Sequence, residues 1–122
     1  MNVIRWIAVL TLGALAAGAQ VTEERIRKAD SEPGNWLTYS RTYKSWHYSP
    51  LDEIKTSNVA DLELQWVFQA AEKTKFQSTP LVVDGVMYVT HSPNNIAAID
   101  ALTGRVFWTY HHTLSEGISV CC

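Results

Sequence analysis

The stretch from residue 96 to residue 110 constrains the fold of this chain more than any other. Residues 96–100 predict one β-strand, and residues 105–110, which are rich in β-forming side chains, predict a second. Between them Thr103-Gly104 predicts a tight turn, because glycine adopts a positive φ without steric cost. The return strand carries Trp108, a large flat ring that needs a surface to pack on.

Four strand signals occur in a row, at residues 78–83, 86–90, 95–99 and 105–110, and the last two form this hairpin. Asp84-Gly85 is a strong signal for a two-residue hairpin turn, and residues 92–95 (Ser-Pro-Asn-Asn) predict another turn. Four antiparallel strands joined by tight turns make one blade of a β-propeller. The predicted fold class is therefore all-β. A blade buries its faces only against neighbouring blades, so a chain with one blade is only part of a propeller.

A spaced motif spans the hairpin and carries a family resemblance. The pattern Ala-x-Asp-x-x-Thr-Gly-x-x-x-Trp is filled by Ala98, Asp100, Thr103, Gly104 and Trp108. It resembles the tryptophan-docking repeat that holds together adjacent blades of the eight-bladed propeller in quinoprotein alcohol dehydrogenases. The resemblance implies that Trp108 docks between blades beside the small Ala98. The alternative is an ordinary hairpin with a Thr-Gly turn and an edge tryptophan.

The aromatic-rich residues 35–51 resemble the opening of the same family. The matching positions are Trp36, Tyr39, Tyr48-Ser49-Pro50-Leu51 and Ile54. Interleaved basic residues, Arg41 and Lys44, would also suit stacking on RNA. The chain has 10 Lys and Arg against 12 Asp and Glu, a net charge of −2, and no basic block. We therefore expect aromatic packing under a β-sheet, with exposed tips, and no nucleic-acid partner.

An apolar alternation follows, in which Leu64, Trp66 and Phe68 predict a strand with one apolar face. Just before it, residues 57–62 predict a one-turn helix capped by Ser57. The resemblance implies that the strand is the outer strand of the last blade, so that the N-terminal part of the chain closes the ring and removes an exposed sheet edge. Its partner strands would lie beyond residue 122.

Residues 1–19 have the pattern of a signal peptide. Arg5 forms a short positive region, residues 6–17 are an apolar stretch too short to span a bilayer comfortably, and Ala17-Gly18-Ala19 is a cleavage site. We expect a mature protein that starts at Gln20 and is periplasmic, without a membrane span; an uncleaved signal anchor is the alternative. Residues 22–30 predict a helix capped by Thr22. The expected organisation is signal peptide 1–19, helix and linker 20–34, and incomplete propeller 35–122.

Both cysteines are adjacent, as Cys121 and Cys122, and no Cys-x-x-Cys-His haem motif is present. Neighbouring Cα atoms lie about 3.8 Å apart, below the usual disulfide range of about 4.4–6.8 Å, so a bond between them closes a strained ring. Free thiols are the alternative. The family resemblance implies the disulfide, lying flat against the cofactor pyrroloquinoline quinone. A Cys-Cys end directly after a strand and loop also suggests an N-terminal fragment of a longer protein.

Gln77 stands at the start of the inner strand of the blade, where the family usually has glutamate near the polar edge of the quinone. The resemblance implies that Gln77 binds the cofactor, and its amide can donate as well as accept hydrogen bonds there; a plain polar strand start is the alternative. The resemblance places the catalytic Asp and the metal ligands in later blades. None is assigned to residues 1–122, and the metal would be Ca²⁺ or a lanthanide.

The function implied by the resemblance is oxidation of a small alcohol to an aldehyde, with cytochrome c as the electron acceptor; the chain alone is expected to be inactive. The four histidines, His47, His91, His111 and His112, lack carboxylates at ligand spacing and are interpreted as structural or solvent-facing. The rival class is a non-catalytic propeller of the outer-membrane assembly type. Those proteins carry similar repeats, but they have a lipobox cysteine and no vicinal cysteine pair. A membrane-bound quinoprotein sugar dehydrogenase would need several transmembrane helices.

Overall fold

Four strands in one antiparallel sheet form the body of the described structure. The computed structural model describes residues 21–70 and 78–117. Within these residues the elements are α1 (Glu23–Arg27), two 3₁₀ turns (Ala29–Ser31 and Val59–Asp61), β1 (Leu81–Val83), β2 (Val86–His91), β3 (Asn95–Asp100) and β4 (Val106–His111). The strand order is β1-β2-β3-β4, so each strand pairs with its neighbour in sequence. The predicted single blade is confirmed.

The ends of the strands follow from local chemistry. Asp84 and Gly85 both have positive φ, +50° and +80°, which suits the two-residue turn that pairs Val83 with Val86. The start of β1 was predicted at residue 78, and this is wrong: the strand begins at Leu81. Pro80 has no backbone N–H to donate to the ladder, which explains why strand pairing starts only after it, at Leu81.

The sheet has two different faces because successive side chains of a strand alternate. One face presents the core residues Val89, Ala97 and Ile99, which are 4%, 0% and 0% exposed. Trp66 and Phe68, from the segment before the sheet, pack against this core. The N-terminal segment therefore covers one face of the blade.

The segment that supplies Trp66 and Phe68 differs from its prediction. No strand is assigned between residues 62 and 70, and Leu64 is 82% exposed although the alternation placed it on the apolar face. A strand needs a hydrogen-bonding partner, and the described residues hold none for this segment. Its role as the outer strand of the last blade stays a prediction.

Two helix caps were predicted, and one of them is right. The Thr22 hydroxyl accepts a hydrogen bond from the Arg25 backbone N–H at 3.2 Å, although α1 ends at Arg27 rather than at residue 30. The Ser57 cap is wrong, because Asn58 precedes the 3₁₀ turn and no side chain caps it. The Asn58 carboxamide oxygen instead accepts from the backbone N–H of Lys55 at 2.7 Å.

The aromatic stretch meets the sheet through Trp36 and Tyr39. Trp36 forms a two-bond bridge with Val82, with N···O distances of 2.8 and 3.0 Å, at the outer edge of β1. Of the other aromatic residues, Tyr39, Tyr43, Trp46 and Tyr48 remain 63–73% exposed. Tyr39 nevertheless lines a groove on the sheet beside Leu81 and Tyr88. The prediction of packing under the sheet is wrong for the other three. No helix of the described residues is long and apolar enough to cross a membrane.

Candidate functional site

Two residues of the docking motif, Ala98 and Trp108, lie on the face of the sheet opposite the core that Trp66 and Phe68 cover. Ala98 is fully buried in the middle of β3, and Tyr88 and Trp108 lie directly opposite it on the two flanking strands. The rings of Tyr88 and Trp108 are 6.1 Å apart. Because alanine has only a methyl group, it leaves room for the two rings to approach each other above it. Trp108 itself is 48% exposed.

The turn of the motif is built around Asp100. Its carboxylate oxygen accepts hydrogen bonds from the backbone N–H groups of Leu102 at 2.9 Å and Thr103 at 3.1 Å. These bonds, with that of Thr103 the larger influence, hold the pKa of Asp100 below its usual range. Aspartate at this position therefore fixes the turn that reverses β3 into β4.

Glycine is required at position 104 for two independent reasons. Gly104 has a φ of +73°, which side-chain-bearing residues rarely adopt. A Cβ built on it would lie 2.7 Å from Cγ and Cδ2 of Trp66. The Trp66 ring thus rests directly on the Thr-Gly turn of the motif. The apolar alternation predicts only that Trp66 lies on the apolar face of a strand, and no local pattern indicates its contact with Gly104.

The Gly104→Ala variant tests that contact. We expect the free energy of unfolding of the full-length protein to fall by about 1–3 kcal/mol, because the methyl group meets the Trp66 ring and strains the positive φ. Chemical denaturation measures the loss. Gly85→Ala is the matched control, since Gly85 also has a positive φ, +80°, but a Cβ there would contact nothing within 4 Å. Equal small losses in both variants would contradict the assignment.

The second face of the blade is an open apolar groove. Its volume is about 530 Å³, and its lining includes Tyr39, Leu81, Tyr88, Ile96 and Trp108. The other face is covered by Trp66 and Phe68. A sheet with one covered face and one open apolar face still has a surface for a neighbouring blade to cover.

A cluster of charged side chains fastens α1 to the turn between β1 and β2. The Arg25 guanidinium donates to Glu32, with Nη2···Oε2 at 2.8 Å, and to Asp84, with Nη1···Oδ2 at 2.9 Å. Asn35 completes the cluster by donating to Glu32 at 2.6 Å and accepting from the backbone N–H of Asp84 at 2.9 Å. Arg25 holds the pKa values of both Glu32 and Asp84 below their usual ranges.

Low pH is expected to weaken the ion pairs of Arg25 with Glu32 and Asp84. A carboxyl whose pKa is lowered by folding stabilises the fold above its unfolded pKa, about 4. That stability is lost as the pH falls through the folded pKa. Arg25→Gln should therefore flatten the pH dependence of the unfolding free energy below about pH 5. Arg27→Gln is the control, because Arg27 pairs with Glu23 at 3.6 Å on the exposed surface. Parallel pH profiles for wild type and Arg25→Gln would rule the cluster out.

The residues predicted to bind the cofactor, Gln77, Cys121 and Cys122, lie outside the described residues. Of the residues that the structure does describe, no three His, Cys, Asp or Glu side chains are grouped so as to hold a metal ion. His47 lies 3.0 Å from the Ser40 hydroxyl, and His111 lies 2.8 Å from the Asn95 carboxamide oxygen. These contacts are of the structural kind that was predicted for the histidines.

The arrangement defines a class: a four-stranded propeller blade with an N-terminal segment over one face. Comparisons give the family. The model for the glucose/ethanol/alcohol dehydrogenase β-propeller domain, which is named for pyrroloquinoline quinone, matches residues 36–120. The dehydrogenase subunit of alcohol dehydrogenase (quinone) from Gluconacetobacter polyoxogenes is 42% identical over 114 residues, covering 92% of this chain and 15% of that protein.

Solved structures agree with the sequence match. The quinohemoprotein alcohol dehydrogenase ADHIIG from Pseudomonas putida HK5 is 44% identical with a TM-score of 0.72, covering 75% of this chain and 14% of that one. A europium-containing methanol dehydrogenase is 31% identical with a TM-score of 0.70, covering 76% of this chain and 17% of that one. The chain belongs to the quinoprotein alcohol dehydrogenase family and folds as part of its β-propeller domain. Both the resemblance and the propeller fold are confirmed.

Proposed function

We propose that this chain is the N-terminal part of a quinoprotein dehydrogenase that oxidises alcohols to aldehydes with pyrroloquinoline quinone as the acceptor. The supporting observation is the identity of 42% over 92% of the chain with a quinone-dependent alcohol dehydrogenase. The chain spans about 15% of the length of that relative. The activity therefore belongs to the longer protein, to which this chain contributes one blade and the segment that covers it.

The cofactor contacts of this part would come from three residues. Gln77 would hydrogen-bond to the polar edge of the quinone, and the pair Cys121-Cys122 would present a flat surface to the ring. When bound, the quinone supplies the two-electron oxidant for the alcohol. Gln77 replaces the usual glutamate and adds no negative charge beside the carboxylates of the cofactor, so the proposal includes an altered cofactor affinity.

The metal and the electron acceptor lie outside this chain in the proposal. Oxygen ligands from later blades would hold Ca²⁺ or a lanthanide. The europium in one structural neighbour supports the second choice. Cytochrome c is proposed as the electron acceptor, supported by relatives named quinohemoproteins.

The signal-peptide pattern of residues 1–19 supports export of the protein. Cleavage between Ala19 and Gln20 would deliver the protein to the periplasm, where disulfides persist. N-terminal sequencing of the protein recovered from the periplasm should begin at Gln20. An intact Met1 on exported protein would contradict the cleaved signal peptide.

The test of the activity compares the full-length protein with residues 20–122 alone. With added quinone and Ca²⁺ or La³⁺, the full-length protein should reduce an artificial dye when a primary alcohol is supplied. Residues 20–122 should not reduce the dye, because the proposal places the catalytic Asp and the metal ligands in later blades. They should also lack a cooperative thermal transition, because the apolar groove of the blade stays uncovered. Absence of quinone-dependent activity in the full-length protein would favour the non-catalytic propeller.

A further inference from the structure

Arg41 is the one buried cation among the described residues, with 4% of its surface exposed. Its Nη1 lies 3.5 Å from the carbonyl oxygen of Tyr48 and 3.6 Å from a carboxylate oxygen of Asp30. Its Nε and Nη2 have no hydrogen-bond partner within residues 21–70 and 78–117. A buried charged donor without an acceptor is costly, so this side chain calls for a further partner.

The charges around Arg41 do not balance. Within the described part of the chain, Asp30 is the one carboxylate that pairs with it, and Lys44 competes for that carboxylate with Nζ at 2.7 Å from Oδ2. Two cations and one anion leave one positive charge in excess. An anion is the partner that would both neutralise this charge and accept from the two buried donors.

A pocket of about 200 Å³ adjoins the two cations. Its lining includes Arg41 and Lys44 together with Trp46, Tyr48 and Pro50. Trp46 and Tyr48 are 73% and 63% exposed. Neighbouring exposed aromatic rings form an apolar patch of the kind that marks a contact site. The pocket thus combines excess positive charge with an uncovered aromatic rim.

The unpaired atoms of Arg41 specify the shape of the anion. Nε and Nη2 form one edge of the planar guanidinium, and their spacing matches the two oxygens of a carboxylate in a bidentate pair. Both atoms are covered in the present conformation, so the carboxylate would engage them as the side chain turns toward the pocket. A single carboxylate would also neutralise the excess charge.

We propose that this pocket receives the carboxylate of an aspartate or glutamate from the part of the propeller domain that follows residue 122. The inference rests on the proposed function, since it requires a longer protein. The relative from Gluconacetobacter polyoxogenes, of which this chain covers 15%, is long enough to supply such a side chain. The exposed rings of Trp46 and Tyr48 would then be the apolar rim of a docking surface within one protein.

The Arg41→Met variant of the full-length protein gives the first test. If a carboxylate docks, Met leaves it buried without a partner, and Tm should fall by about 3 °C or more. If none docks, Met loses only the long contacts of Nη1 with Asp30 and the Tyr48 carbonyl and also removes the two unpartnered buried N–H donors. A Tm that stays unchanged or rises would overturn the proposal. Arg27→Met is the control for loss of an arginine, because the Arg27 side chain is 63% exposed.

The second test identifies the partner. The Arg41→Lys variant keeps the charge and places a primary amine at position 41, which a carbodiimide couples directly to a contacting carboxylate. Peptide mapping should find position 41 joined to an Asp or Glu beyond residue 122. A bond to Asp30 alone, to any other acid of residues 1–122, or to nothing overturns the proposal. Substituting the identified acid by its amide should cancel the Tm loss of Arg41→Met in a double-mutant cycle.

A free anion is the competing occupant. Sodium acetate, compared with sodium chloride at equal ionic strength, would then raise the Tm of wild type but not of Arg41→Met, and the proposed source would be wrong. The proposal expects the same Tm in both salts. All of these measurements follow stability or covalent coupling without quinone or turnover. If these measurements contradict the docked carboxylate, the proposed dehydrogenase activity is unaffected. If the activity is absent, the Tm and coupling results can still be evaluated.

Discussion

Replacing Trp108 with alanine should lower the free energy of unfolding of the full-length protein by about 3–5 kcal/mol. The ring lies opposite the fully buried Ala98 and 6.1 Å from the ring of Tyr88 in the open groove. It is 48% exposed in this chain, and the next blade would cover it in the complete propeller. Chemical denaturation of wild type and variant measures the loss.

The matched control is Phe107→Ala, one residue earlier on the same strand. Phe107 is 45% exposed, close to the exposure of Trp108, but it lies at the irregularity between β3 and β4, where Arg105 lies 5.0 Å from its ring centre. We expect a loss below about 1 kcal/mol there. If Trp108→Ala costs no more than Phe107→Ala, the ring stays exposed in the full protein and the docking assignment is wrong.

The blade could be predicted because its signals are local. Asp84-Gly85 and Thr103-Gly104 supply the positive φ values that two hairpin turns need, and β-forming residues lie between them. Proline explains the largest error in a strand end: Pro80 cannot donate to the ladder, so β1 begins at Leu81 rather than at residue 78. The other strand ends differ from the prediction by at most one residue. Those rules act over a few residues, and a sequence displays them directly.

The remaining contacts could not be predicted because they join distant parts of the chain. Arg25 and Asp84 are 59 positions apart, and no local pattern pairs them. The same holds for Trp66 and Gly104, where the sequence shows a tryptophan and a turn glycine but not that one rests on the other. Arg41 was noted only as a basic residue among aromatics. Its burial depends on contacts with Asp30 and Tyr48, which no local sequence pattern indicates.

Reduction of the cysteine pair is expected to release the quinone while the propeller stays folded. The family resemblance implies a disulfide between Cys121 and Cys122 that packs on the quinone ring. A ring closed between neighbouring residues is strained, so it should be easier to reduce than an ordinary structural disulfide. The opened pair no longer offers a flat, rigid surface. Quinone binding should weaken at least about tenfold, equivalent to about 1.4 kcal/mol, with little change in Tm.

The measurement combines peptide mapping of the non-reduced full-length protein with quinone titrations before and after mild reductant. The double variant Cys121→Ser, Cys122→Ser should bind quinone as weakly as the reduced wild type and should not respond to reductant. Gln77→Glu should change quinone affinity more than Tm, because it introduces the charge that the family usually has there with a side chain of nearly the same size. Two free thiols in the mapped protein, or binding that survives reduction, would remove the cysteine pair from the cofactor site. The propeller assignment would stand, since it rests on the sheet and on the matched residues 36–120.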